Sequence, residues 1–440
     1  MARRIIIKGA TVFTGDGVVE GNLVLRDGLV EHLGGGGTAG EGPAETIDAR
    51  GRLVTPGLTI GHTHIYSALA RGVVLPGEPA RNFVQILEKL WWLLDRKLTL
   101  EQVELSALLH GMDCLRSGVT TVFDHHASYG AIRGSLAVIA EALARVGLRG
   151  CLCYEVSDRA GEAAARQSIE ENMDFIRGAG SGSSPLVRGM FGLHASFTLS
   201  RETLRACAAA ASPDDTGFHI HAAEDREDQA VTLARYGKRV IPRLLDEGIL
   251  GRRTICSHCI WLEEDEIRLL AGSGCTVAYN PQSNMNNAVG ALRLRGLTDR
   301  GVPVVLGTDG FTANILREAL VGQILQNHVT GDPNAGWIDL PRMLLESNNA
   351  LMRKFFGFDN RRLRPGERCD VVLWDYTPPT PLLGENVWGH GVFGLLDSRA
   401  SAVVLDGRLV LRDGRCTGID EDEVASQCRA AAASLWKSMS

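Results

Sequence analysis

LVTPGLTIGHTHIYSALARG, residues 53–72, runs from an apolar stretch into two histidines two residues apart, His62 and His64. Residues 53–60 read as a strand, and alternate residues of a strand point to the same side. Both imidazoles can therefore reach one ion, and imidazole is a common ligand of zinc and related metals. A bare His-x-His also fits two unrelated histidines near a turn, so the rest of the chain decides.

Downstream, candidate strands fall at 54–62, 119–124, 148–155, 188–194, 218–222, 254–258, 276–280 and 303–309. Helical patterns at 101–117, 134–147, 163–178, 200–211, 226–246, 263–272 and 312–328 lie between most of them. Strand then helix, repeated through the middle of the chain, is the pattern of a (β/α)8 TIM-type barrel, an α/β fold. Such barrels carry their sites at the carboxyl ends of the strands. Eight of the twelve histidines stand at predicted strand ends: His62, His64, His125, His126, His194, His219, His221 and His258. A random scatter would not place them so, and the metal reading of His62 and His64 gains accordingly.

Outside the barrel, residues 1–55 look like short strands joined by glycine-rich turns. The same texture returns at 369–376 and 401–416, and VLRDG at 24–28 is echoed by LVLRDG at 409–414. Alternating apolar residues and Asp-Gly pairs are strand and turn signals. The expected organisation is a small β-sandwich-like domain built from both termini (1–55 with 365–418), a barrel over 56–364, and a C-terminal helix over 419–440. A further helical stretch, 82–97 with Trp91-Trp92, reads either as a wall over the site or as an ordinary packed helix.

The totals fit this picture. The chain has 440 residues, 45% hydrophobic and 22% charged, with a net charge of −6. Acids and bases are interspersed, with no basic tract for nucleic acid or an anionic membrane. No apolar run reaches transmembrane length, and the start MARRIIIKGATVF reads as a strand, not a signal peptide. The ten cysteines are expected to be reduced thiols of a cytoplasmic protein. The lone CxxC at 256–259 is weak evidence for structural zinc.

A catalytic metal site needs a few protein ligands and an open position for water. His62, His64, His221 and Asp309 can supply three imidazoles and a carboxylate. A bound metal would lower the pKa of a water. Glu224, in His221-Ala222-Ala223-Glu224, is placed to shuttle protons, and His258 with Asp309 to orient the water. A second ion would usually want a bridging ligand such as a modified lysine. The third and fourth strands hold no lysine, so one metal is favoured. Asp309 also fits a helix cap near Thr312, and His219 fits a hydrogen-bonded core residue one layer below His221. Of the adjacent His125 and His126, strand alternation lets at most one enter the site. Asn284, Asn286 and Asn287 fit contacts to a heterocycle or turn roles alike.

PG-x-x-x-x-H-T-H at 56–64, H-A-A-E at 221–224, S-H at 257–258 and G-T-D-G at 307–310 resemble the amidohydrolase superfamily. The branch is that of the cytosine deaminase-like and chlorohydrolase-like metal-dependent hydrolases, which includes guanine deaminase. RSGVTTVFDHHAS (116–128), LWWLLDR (90–96), NPQSNMNNAVG (280–290) and AAASLWKSM (431–439) are similar to the SsnA group of aminohydrolases, associated with purine catabolism. The resemblance implies His62, His64, His221 and Asp309 as ligands of one divalent ion, zinc or alternatively iron(II). It implies Glu224, His258 and Asp309 as catalytic residues, and His194 as a substrate contact. His126 and Asn284 are added as candidate substrate contacts. The implied activity is removal of an exocyclic amino group from a purine-like heterocycle with release of ammonia. Opening of a cyclic amide and displacement of a halide are the alternatives, and a non-catalytic scaffold is a third. Barrels of this family often form dimers, so a homodimer is among the expected assemblies.

Overall fold

The computed structural model describes residues 3–37, 42–180 and 184–440. Residues 1, 2 and 38–41, which belong to the expected β-domain, lie outside the described residues, as do 181–183.

The site rests on eight parallel strand positions. Leu58–Thr63, Val119–His126, Arg149–Tyr154 and the short Val187–Gly189 form one sheet. Phe191–Ala195, Phe218–Ala222, Ile255–His258, Thr276–Tyr279 and Val304–Leu306 form the other. Met190 interrupts the fourth strand, so its two halves lie in different sheets. Parallel bridges Val156–Leu193 and Thr63–Asp309 join the two sheets at both seams and close the ring. Every residue of Leu58–Thr63 and Val119–His126 is buried, as expected for strands covered on both faces.

Helices Leu100–Arg116, Ser135–Val146, Glu162–Gly180, Arg201–Ala210, Glu264–Ser273 and Ile315–Thr330 match the sequence pattern closely. The stretch expected as one helix at 226–246 is two, Arg226–Tyr236 and Val240–Asp246. Gly237, with φ 68°, ends the first by a left-handed turn that glycine adopts without penalty.

The strand expected at 54–62 is also divided. Leu53–Pro56 pairs with Arg4–Phe13 and Val371–Trp374 outside the barrel, and Leu58–Thr63 begins the barrel. Gly57 sits at the break, where a Cβ would lie 2.3 Å from Thr120 Oγ1. Only glycine lets the chain cross from one sheet to the other so close to the second strand.

Leu53–Pro56 belongs to a nine-stranded sheet drawn from both ends of the chain. Three of its hairpins turn on Asp-Gly pairs, at 27–28, 406–407 and 413–414, each with both residues at positive φ. That is the hairpin geometry matched to strand twist. The VLRDG echo is therefore two similar hairpins. The sheet curls until two turns touch: a Cβ on Gly407 would fall 2.5 Å from Gly28 N. Ile7, Leu23, Val371 and Val404 pack inside the curl. A buried ion pair, Arg149 with Asp370, ties the third barrel strand to this sheet.

The 82–97 stretch is helical, with a π-helical turn at Leu87–Trp91. The C-terminal helix Glu421–Met439 reaches the segment after the first barrel strand, where Trp436 Nε1 donates to Leu69 O at 2.8 Å. All ten cysteines are buried free thiols. Among the described residues no helix is long and apolar enough to cross a membrane.

Candidate active site

Period-two alternation turns His62 and His64 inward from the first strand, as it does His219 and His221 from the fifth. Asp309 follows the eighth strand in a left-handed conformation, φ 52°. Its approach is tight, since a Cβ on Gly307 would meet Asn280 Oδ1 at 2.3 Å and His62 Cβ at 2.8 Å. One ring nitrogen each from His62, His64 and His221 and one oxygen of Asp309 lie within 4.8 Å of one another. His64 Nε2 is 2.9 Å and His62 Nε2 3.4 Å from Asp309 Oδ1.

Neighbouring groups fix the tautomers. His64 Nδ1 donates to His125 O at 2.6 Å, and His221 Nδ1 donates to His194 O at 3.1 Å. A carbonyl can only accept, so each Nδ1 carries a proton, and in the neutral ring each Nε2 is a bare lone pair. Yet the two Nε2 atoms are only 3.1 Å apart. His62 Nε2 is buried with no hydrogen-bond partner. Lone pairs converging on a carboxylate oxygen repel unless a cation lies among them. The donor set of three imidazoles and one carboxylate fits a divalent transition metal.

Glu224, His258 and Asp309 form an adjoining cluster, also within 4.8 Å. Ala223 and His258 both have positive φ, 50° and 74°, and non-glycine residues hold that conformation only where the surroundings force it. His258 Nε2 faces Glu224 Oε2 at 3.4 Å. Asn284 Nδ2 donates to His258 Nδ1 at 2.8 Å, which leaves the proton on Nε2. Burial lowers the His258 pKa to about 4, so the ring is neutral at pH 7. Burial, and then the charge of Asp309, push the Glu224 carboxyl well above its ordinary value. Ser283 Oγ donates to Asp309 Oδ2 at 2.5 Å, leaving Oδ1 for the cluster.

A cavity opens over these residues. Phe83, Leu87, Trp91, Trp92 and Asp95 line it, so the 82–97 stretch is a wall of the site. His194 lines it too, with Nδ1 bonded to Thr198 Oγ1 at 2.6 Å. Asn284 does not line it; packed beneath, it holds His258, while Asn286 and Asn287 face the cavity. His126 does not line it either. Its ring turns outward between Tyr66 and Tyr154, and its Nε2 bonds Ser128 Oγ at 2.8 Å. The alternation that turns His125 inward excludes its neighbour, so a substrate contact at His126 is not what the structure provides.

Two further groups, Glu155 and Arg159, carry no motif. Glu155 lines the cavity just past the third strand. Burial works to raise its pKa, but His194 and Arg159 outweigh this and hold it at about 2. Arg159 bonds both Asp95 oxygens, at 3.2 and 2.6 Å, and Glu155 Oε1 at 2.9 Å. Burial draws the Asp95 pKa up to about 7; the two-point contact with a guanidinium favours its charged form. The visible sequence signal was position alone, since Glu155 closes a predicted strand.

The profile of the amidohydrolase family matches residues 53–410. The chain belongs to the amidohydrolase family. It is 32% identical over 99% of its length to the whole of a 5-methylthioadenosine/S-adenosylhomocysteine deaminase of Desulforudis audaxviator. It is 30% identical to a 5'-deoxyadenosine deaminase of Methanosarcina mazei, covering 98% of each chain. Among solved structures, a zinc-bound adenosine deaminase from Xanthomonas campestris superposes with a TM-score of 0.81 at 21% identity, over 98% of both chains. A mutant atrazine chlorohydrolase of Arthrobacter aurescens, complexed with zinc and atraton, superposes at 0.82 and 20% identity, over 97% of this chain and 100% of that one. The structural likenesses establish the fold. The family is one of metal-dependent hydrolases.

Proposed function

We propose that this chain is a metal-dependent aminohydrolase that removes an exocyclic amino group from a purine-like heterocycle and releases ammonia. The observation that carries the reading is the pair of clusters meeting at Asp309, His62-His64-His221 on one side and Glu224-His258 on the other. Similarity over nearly full length to deaminases of adenosine derivatives supports it.

His62, His64, His221 and Asp309 would hold one divalent ion, zinc, with iron(II) the alternative. Bound there, the ion supplies Lewis acidity that lowers the pKa of a water. Asp309 Oδ2, held by Ser283, keeps the carboxylate oriented. Glu224 takes a proton from the attacking water and passes it to a ring nitrogen; it then takes the second proton, from the hydroxyl on the attacked carbon, and gives it to the departing amine. His258, neutral and with its Nε2–H directed at Glu224, donates to oxygen at the attacked carbon. His194 and the wall of Trp91 and Trp92 position the ring.

The test is ammonia release by the zinc-loaded protein over aminated purines, pyrimidines and pteridines. Product mass identifies the bond broken, because deamination exchanges NH2 for OH whereas ring opening adds a whole water. Ring opening without ammonia would replace this reading.

A further inference from the structure

One side of the cavity presents acceptors that the protein itself leaves without donors. Glu155 Oε1 accepts from Arg159. Oε2 faces His125 Nδ1, 3.9 Å away. That nitrogen has no proton to give. His125 Nε2 lies 3.0 Å from the carbonyl of Leu193 and must donate to it, so Nδ1 is bare, and it is buried without a partner. His194 repeats the pattern. Thr198 Oγ1 donates to Ala195 O and therefore accepts from His194 Nδ1, which leaves Nε2 as an acceptor. In the same wall, Trp92 Nε1 is a buried donor with no acceptor.

Charge narrows the ligand further. No lysine or arginine is among the described residues lining the cavity. Arg159, just behind, is already engaged by Asp95 and Glu155, with its guanidinium carbon 4.1 Å from the Tyr129 ring centroid. Nothing remains to receive a carboxylate or phosphate tail. Distance matters as well. Glu155, His125 and His221 offer polar atoms within 4.8 Å of one another, and His221 belongs to the metal-ligand cluster. A donor that meets Glu155 must therefore lie on the reacting ring or directly on it.

We infer that Glu155 determines specificity by accepting ring N–H donors, and that the substrate is an uncharged lactam-type aminoheterocycle, with N–H beside C=O. This deepens the aminohydrolase reading and rests on it. Such a ring gives Glu155 and His194 their donors and offers Trp92 an acceptor. The ring of an N9-substituted adenine offers only acceptors to this wall: its one donor is the amine that leaves, and the sugar hydroxyls of a nucleoside do not lie on the reacting ring. A second divalent ion is the competing occupant. His221 has no nitrogen left for it, with Nδ1 on His194 O and Nε2 in the first cluster, and two ligands fall short of the usual three.

The experiment is calorimetric binding to zinc-loaded protein carrying Glu224→Gln to halt turnover, with and without Glu155→Gln. The ligands are isocytosine and pterin as lactams, and 9-methyladenine, 5'-methylthioadenosine and S-adenosylhomocysteine as the contrast. Lactams are expected to bind most tightly. Glu155→Gln, which turns an acceptor into a donor, should weaken them about tenfold or more and leave the adenines unweakened. Unchanged melting temperature and zinc content show that the variant folds; if it does not, Glu155→Asp takes its place. The inference is overturned by tighter binding of a nucleoside or of S-adenosylhomocysteine, by failure of the lactams to bind, by equal loss for both classes, or by loss of a second zinc equivalent. Ammonia release by the unsubstituted enzyme reports separately on the aminohydrolase reading.

Discussion

His64 and His221 face each other through their Nε2 atoms at 3.1 Å, while the Nδ1 of each donates to a main-chain carbonyl. With both rings neutral, no proton is left for the space between them. Removing the metal should therefore destabilise the fold as well as stop turnover. A ligand at a thousand times its Kd adds about 4 kcal/mol to stability. Zinc titrated into chelated protein should raise the melting temperature by several degrees, and His64→Ala should abolish that rise. A melting temperature indifferent to zinc would remove the cation from this site.

Glu224 stands 3.4 Å from His258 Nε2 and outside the metal-ligand set. Its replacement by alanine should lower kcat by about 10²–10⁴-fold, the usual worth of a positioned acid–base group. Zinc content, measured by atomic absorption, should stay at the unsubstituted level. Turnover that survives the change would mean another group moves the proton.

Asn284 touches no part of the cavity but fixes the tautomer of His258. Groups behind a metal site that orient its side chains are commonly worth 10–100-fold. Asn284→Ala should cost about that factor in kcat while KM changes little. A change confined to KM would place the residue in substrate binding instead.

Arg149 and Asp370 are both fully buried, and Asp370 also accepts from Asp406 N and donates its own backbone N–H to Asn360 Oδ1. Breaking a buried pair from one side leaves an uncompensated charge and costs about 3–5 kcal/mol. Asp370→Ala should lower stability by that amount in urea titration, with metal affinity unaffected if the protein still folds at 25 °C.

His110 packs against Thr63, between His62 and His64 of the first strand. Burial lowers its pKa to about 4 from the ordinary 6.5. Between those values the unfolded chain binds more protons than the folded one, so stability rises with pH across that window and is lost as pH falls. The contribution is on the order of 2 kcal/mol. In His110→Gln the fall in stability from pH 6.5 to 4.5, followed by denaturant titration, should be visibly shallower. An identical slope would show that the group is not responsible.

The sequence determined the barrel and the gathering of His62, His64, His221 and Asp309. Both rest on short-range periodicity: alternation puts His62 with His64 and His219 with His221 on one side, and strand-helix repetition sets where the strand ends gather. Asp-Gly pairs likewise fixed the hairpins, because their left-handed conformations match strand twist. Tertiary structure decided what depends on contact between distant segments. The chain leaves one sheet for another at Gly57 because Thr120 stands against it. His125, not His126, enters the site because Tyr66 and Tyr154 hold the latter. Asp95, Glu155 and Arg159 meet across 64 positions of sequence, and the carbonyls of His125 and His194 choose the imidazole tautomers. A periodic pattern records which face a residue takes, whereas the partner waiting on that face is set only when the ring of strands closes.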